Sequence, residues 1–272
     1  MNYTKPRTSD SRKKLSGSTI KIIAMVTMVA GILATAVFDR ILLKNGLAEV
    51  SNDADAYQVF METNGTLFIT DFVLQMIGGL ALPLFCFLLV EGFMHTSDLK
   101  KYAIGLGVLA VVSEVPFDLV YSGTPWNIYR QNPVFALLIG LGLLILIEKA
   151  EVSLAHSAPW KQSTVRLLTA VGACALSMIL CVDYGIFTAI IVLVLYMFRS
   201  RQVFGMALGC FLMSMTSQLF GFITFVDILP VLFYNGERGI RKKYVFYAVY
   251  PAALVIAYVI VVLAGLQGVK MA

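Results

Sequence analysis

The chain is poor in charge. Of its 272 residues, 14% are Asp, Glu, Lys or Arg, against about a quarter in an ordinary soluble domain. That shortage excludes a large water-facing domain. Cysteine is sparse too, and Cys86, Cys174, Cys181 and Cys210 all fall in apolar runs without a CxxC spacing. They imply neither a disulfide framework nor a zinc site. Histidine is reduced to His95 and His156. There is no Gly-rich Walker-type loop, no internal repeat, no low-complexity tract and no domain linker. The N-terminus is not read as a cleavable signal: residues 1–18 are polar and basic, and no small-residue cleavage pattern follows a short apolar core.

What fills the chain is hydrocarbon. Hydrophobic residues make up 59%, and several runs approach or exceed the roughly 18–20 residues needed to cross a bilayer. The fold class is all-α, a polytopic transmembrane bundle of about nine spans (8–10). Candidate spans are 19–43, 67–93, 102–121, 133–148, 165–182, 185–198, 203–217, 219–234 and 244–266. Several of the later ones are short enough to be tilted, broken or re-entrant. The organisation is a basic tail (1–18), one transmembrane domain (19–266) and a short tail (267–272). With the N-terminus cytoplasmic, the outside receives only Arg40, Lys44, Arg130 and Lys270 of all the basic residues. That bias sets the N-terminus inside and the C-terminus outside. It also explains the net charge of +5 without nucleic acid, leaving membrane lipid as the constant neighbour. The longest external segment runs from Lys44 to Thr66.

A carboxylate in hydrocarbon costs several kcal/mol, roughly 3 on insertion scales. Glu91, His95, Glu114 and Asp118 lie inside or at the rim of apolar runs, which makes them candidate catalytic groups. Glu91 and His95 are four apart and share a helix face, either as a solvated helix end or as an acid/base pair. Glu114 and Asp118 are also four apart, around Pro116, which frees a backbone carbonyl. They are either a structural hydrogen-bond knot or a site. Arg130 and Asn132 sit at the outer mouth beside the interface anchors Trp126 and Tyr129, and a pairing of Arg130 with Asp118 would explain both ions. Asp183 and Tyr184 break an apolar stretch at the same side, as a turn or as part of a site. At the cytoplasmic side Lys100, Lys101, Asn235, Gly236 and Arg238 form basic, amide-rich loops suited to phosphate, though a positive-inside loop needs no further reason. No metal site is expected.

Several segments together resemble the TraX family, membrane proteins named for acetylation of pilin subunits in conjugation. They are IKIIAMVTM (20–28), FCFLLVEGFMHT (85–96), KKY (100–102), SEVPFDL (113–119), QNPVFALLIGL (131–141), DYG (183–185), YNGERG (234–239) and FYAVYP (246–251). The resemblance implies an acyltransferase that takes an acetyl or other acyl group from cytosolic acetyl-CoA and passes it to an amine or hydroxyl. The acceptor would be a pilin-like protein or an envelope glycan, with His95 or a carboxylate as base and Asn132 or Asn235 stabilising the oxyanion. The chain also departs from the family pattern. Gly31 and Ile32 stand where an Asp-His pair is usual, Gly79 where an Arg is, and Ala253 where a His follows the YP pair. A non-catalytic assembly protein and a small-solute or proton transporter are the alternatives.

Overall fold

A computed structural model describes residues 14–215, 221–240 and 243–269. Most of the expected basic tail lies outside the described residues, as do Arg241, Lys242 and Lys270. Among the described residues there is no strand, only isolated bridges at Leu15–Tyr234 and Gln131–Val182. Ten helices are labelled here: α1 Gly17–Lys44, α2 Ala54–Gly78, α3 Ala81–His95, α4 Leu99–Tyr121 and α5 Pro133–Ser153, then α6 Pro159–Ile179, α7 Gly185–Met197, α8 Gln202–Ser214, α9 Gly221–Leu232 and α10 Lys243–Leu263.

Six segments are long and apolar enough to cross a membrane, α2 and α3 counting as one 42-residue run. The expected bundle is therefore present, but three of the nine expected spans are short. Helices α7 and α8 have 13 residues each, and α9 is comparable. At 1.5 Å per residue, 13 residues cover about 20 Å, less than a hydrocarbon core of about 30 Å. Helices α8 and α9 form a tight hairpin. A Cβ on Gly221 would lie 2.4 Å from the Ser214 carbonyl oxygen, and the Thr224 hydroxyl donates to the Cys210 carbonyl at 3.1 Å. The external segment expected from Lys44 to Thr66 is also largely helical. Leu47–Val50 makes one turn, and Asp53 then caps α2, its carboxylate accepting from the backbone of Asp55 and Ala56.

Capping residues fix several helix starts. Ser16, Asp98 and Asn132 accept from backbone amides of α1, α4 and α5, and Pro133 and Pro159 occupy first helical positions. Helix α1 runs antiparallel to α2–α3. Gly31 meets Gly78 halfway, Asn45 bonds Asn64 at one end, and Leu15 sits near the Glu91 end at the other. The alternating helices leave Lys21, Lys100, Lys101, Arg199, Arg201 and Arg238 at one end of the bundle, called here the basic end. The larger buried cluster is built by α3, α5, α7 and α8 around Phe87, Leu141, Val192 and Met206. A smaller one joins α1, α4 and α10 at the far end, through Val37, Phe117, Leu254 and Val261.

Within α1, Ala34–Phe38 is a π-helical segment. Single π turns re-aim the side chains that follow them. Here Thr35 reaches the Tyr121 hydroxyl on α4 at 3.1 Å.

The Gly31–Gly78 crossing yields a paired prediction. A Cβ on Gly78 would lie 2.5 Å from the Gly31 Cα, so Gly78→Ala is expected to destabilise by about 1–3 kcal/mol. Gly142→Ala, where no atom lies within 4 Å, is expected to be neutral or slightly stabilising. Thermal unfolding in detergent, followed by fluorescence-detected gel filtration, separates the two. Equal midpoints would show that the crossing is not close.

Candidate functional site

The polar residues fall into two groups at opposite ends of the bundle. Glu114 lies 15 residues into α4, which at 1.5 Å per residue is about 22 Å from the basic end. His95 is at that basic end. His95 and Glu91 therefore do not share a site with Glu114 and Asp118.

At the far end, α4, the loop that follows it and the α6–α7 turn converge. Glu114, Asp118 and Asn132 are at most 6% exposed. Asn132 caps α5 by accepting from the Val134 amide at 2.9 Å. Its side-chain nitrogen donates to the Ala110 carbonyl at 2.8 Å and to the Glu114 carboxylate, to which its backbone amide donates as well. The Asn127 amide donates to Asp118 at 2.7 Å. One oxygen each of Glu114 and Asp118 is buried with no hydrogen-bond partner among the described residues. Arg130 pairs not with Asp118, as expected, but with Asp183, its Nε 2.9 and 3.0 Å from the two carboxylate oxygens. The reason is the backbone: Gln131 and Val182 form a bridge that sets residues 130 and 183 side by side. The guanidinium also lies over the Tyr121 ring, 5.0 Å from its centroid. Burial pushes the Asp183 carboxyl above the usual range, and Arg130 opposes that shift. Tyr184 starts α7 at φ 56°, and the Tyr250 hydroxyl has Tyr121, Asp183, Glu114 and Arg130 as electrostatic neighbours.

This end thus gathers Glu114, Asp118, Arg130, Asn132, Asp183 and Tyr184. Asn132, expected as an oxyanion donor, already spends its amide hydrogens on Glu114 and Ala110. The arrangement ties α4 to α5.

At the basic end Glu91 is the hub. Gln202 of α8 donates to one of its oxygens at 2.5 Å, and the Tyr234 hydroxyl to the other at 2.8 Å. His95 Nδ1 lies 2.9 Å from the Glu91 backbone carbonyl and 3.7 Å from its carboxylate. Those contacts engage Nδ1, on a side chain that is 58% exposed. Lys100 and Lys101 stand in the first turn of α4. Lys101 pairs with Asp98 at 2.9 Å, and the Lys101 amide and ammonium hold the Asp98 carboxyl below its usual range. Asn235 accepts from the Glu237 amide at 2.8 Å and donates to the Glu237 carboxylate at 3.4 Å. Its loop is therefore a self-satisfied turn with Gly236 at φ 79°, which seats Leu15 and Gly17 through backbone bonds. One amide hydrogen of Asn235 is thus engaged within its own loop. Lys100, Lys101 and Arg238 keep exposed cationic character at this end.

Sequence reading passed over several buried polar groups. Asp71 of α2 is 5% exposed and accepts from Gln75 at 2.7 Å, while Gln75 also reaches Asp39 of α1 at 3.4 Å. Arg40 is 3% exposed and Asp227 is 1% exposed. The signal was there: GILATAVFDRILL and TLFITDFVLQMIGG are apolar runs interrupted by ions, the argument already applied to Glu114. At the position of the missing Asp-His pair, the Gly31 backbone lies against Gly78 and Ile32 is buried. A helix crossing occupies the space such a pair would need. Among the described residues, no group of three or more His, Cys, Asp or Glu is placed to hold a metal ion.

An all-helical membrane protein with a polar cluster at each end is the class these features define. The family model described as "TraX protein" matches residues 16–261, and the chain belongs to this family. It is also 30% identical over 203 residues to a protein of Dichelobacter nodosus described as "Probable fimbrial assembly protein FimC, serogroup H1". The match covers 65% of this chain and 78% of that protein. No solved structure matches the chain.

Asn132→Ala removes a helix cap and one of the two donors to a buried Glu114 oxygen, leaving the backbone amide as the other, and is expected to cost about 2 kcal/mol. The Glu114→Ala, Asn132→Ala double variant should cost clearly less than the sum of the singles, as contacting partners do. A thermal-unfolding double-mutant cycle reads this, and strict additivity would mean that the two side chains act independently.

Proposed function

We propose that the protein acts in pilus or fimbria assembly as an integral membrane acyltransferase, transferring an acetyl or other acyl group from acetyl-CoA to a pilin-like acceptor. The reading places the basic end in the cytoplasm of a bacterial inner membrane, with His95 as the acting base. The observation that carries it is the local geometry of His95: Nδ1 is engaged by Glu91, and the side chain is 58% exposed at the end of the bundle that holds Lys100, Lys101 and Arg238. Gln202 and Tyr234 hold the Glu91 carboxylate, so it is a positioning residue.

Acetyl-CoA is a polyanionic substrate, and the donors that fit it here are Lys100, Lys101 and Arg238. In the step itself His95 Nε2 takes the proton of the acceptor hydroxyl or amine as that atom attacks the thioester carbonyl. The carbon–sulfur bond breaks, and His95 returns the proton to the departing sulfur. The far-end cluster braces α4 and α5.

Family membership and the fimbrial description of the relative support the assembly setting. A second reading, an assembly protein without chemistry, is favoured by one observation: the Gly31–Gly78 crossing stands where the resemblance places an Asp-His pair.

Membranes containing the protein, given acetyl-labelled acetyl-CoA and a pilin fraction, are expected to yield labelled pilin. His95→Ala should lower the rate by about a hundredfold or more. Lys100→Ala with Lys101→Ala should raise the KM for acetyl-CoA with little change in kcat. A deletion strain whose pili return equally with wild type and His95→Ala, with no label above background, would replace the enzyme reading with the second one.

A further inference from the structure

Arg40 is the one buried cation among the described residues, and its charge has no acidic partner among them. It is 3% exposed, near the far end of α1. Its two terminal nitrogens donate to backbone carbonyls only, those of Ala36 (3.3 Å) and Val120. Its Nε is buried with no partner. The neighbouring Asp39 does not neutralise it, because that carboxylate faces Gln75 and Asp71 on α2. Carbonyl dipoles orient a guanidinium, but they do not cancel a buried unit charge.

A cavity of about 270 Å³ opens beside this guanidinium, between the ends of α1, α4 and α10. Its wall is Arg40, Leu119, Gly123, Tyr258, Val261 and Gln267. No acid is among them. Leu119 and Val261 supply apolar surface, Tyr258 a ring, and Gln267 an amide. The π segment Ala34–Phe38 precedes Arg40 by one turn and sets its angular position on α1. A cation is disfavoured here by sign, and a neutral apolar guest would leave the charge unmatched.

We propose that this cavity is a binding site for a single anionic group, a phosphate or a carboxylate, carried on an apolar stem. Arg40 pairs with the anion, and Leu119, Tyr258 and Val261 hold the first part of the stem. The volume fits a head group rather than a whole large ligand, since specific pockets for drug-sized molecules run from about 300 to 1,000 Å³. The same chemistry belongs to an anionic bilayer lipid and to a free amphiphilic carboxylate. The site lies at the end of the bundle opposite His95, and does not depend on acyl transfer there.

The test uses the full chain purified in neutral detergent. Probes are phosphatidylglycerol and decanoate, with diacylglycerol and decanol as uncharged controls of similar stem. Saturable binding and a rise in the unfolding midpoint are expected with an anionic probe and not with its control. A response to phosphatidylglycerol alone identifies the lipid as the source, and a response to decanoate alone identifies a free carboxylate. Arg40→Gln should weaken binding by about tenfold or more, and Arg40→Lys should retain part of it. Val261→Phe leaves the guanidinium intact but fills the cavity, and should abolish binding even if Arg40→Gln fails to fold. Equal responses to charged and uncharged probes, no saturable response to either anion, or unchanged binding in Val261→Phe would each overturn the proposal.

Discussion

Hydrocarbon offers a polar group no hydrogen-bond partner, so each one buried in this bundle has to find its partner within the chain. The consequences are visible wherever helices meet. Asn132 caps its own helix and at the same time supplies the donors that Glu114 needs. Glu91 collects Gln202 and Tyr234 from distant parts of the chain and so joins α3 to α8 and to the loop after α9. Arg130 is held by Asp183 and by the face of Tyr121. Because lipid tails are as apolar as leucine, helix association in a bilayer relies on close packing and on bonds of this kind rather than on expulsion of water. The glycine crossing of Gly31 and Gly78 supplies the packing, and these knots supply the bonds.

Much of the architecture was legible in the sequence. Run length and the placement of Lys and Arg gave an all-helical bundle, most of its helix ends and the grouping of cations at one end. Helix α2 starts a dozen residues earlier than hydropathy suggested because its first turns are polar. Asp53 caps them, and capping is a local chemical feature that a hydropathy window averages away. The shortness of α7, α8 and α9 was visible, but their pairing was not, since it depends on Gly221 meeting Ser214 in space.

The candidate sites were legible by kind and less so by partner. Rarity in an apolar run picked out Glu91, Glu114 and Asp118, and the same rule applied to Asp39, Arg40, Asp71 and Asp227 would have found the rest. Partnership was a different matter. A pairing of Arg130 with Asp118 would have explained both ions, whereas the bridge between Gln131 and Val182 delivers Arg130 to Asp183. The separation of His95 from Glu114 follows from helix rise alone, and it divides one expected group of residues into two clusters at opposite ends of the bundle.

The brevity of α7, α8 and α9 bears on the membrane as well as on the protein. Helix α8 packs against both α7 and α9, and α7 is largely enclosed by its neighbours, so the outer surface that α8 and α9 share is a wall roughly 10 Å lower than a hydrocarbon core of about 30 Å. Lipids next to that wall must thin or tilt, at a cost of fractions of a kcal/mol for each ångström of mismatch. The bilayer is then most compliant on one flank of the molecule. There, headgroups and water descend furthest towards the bundle, and a membrane-anchored partner meets the least hydrocarbon.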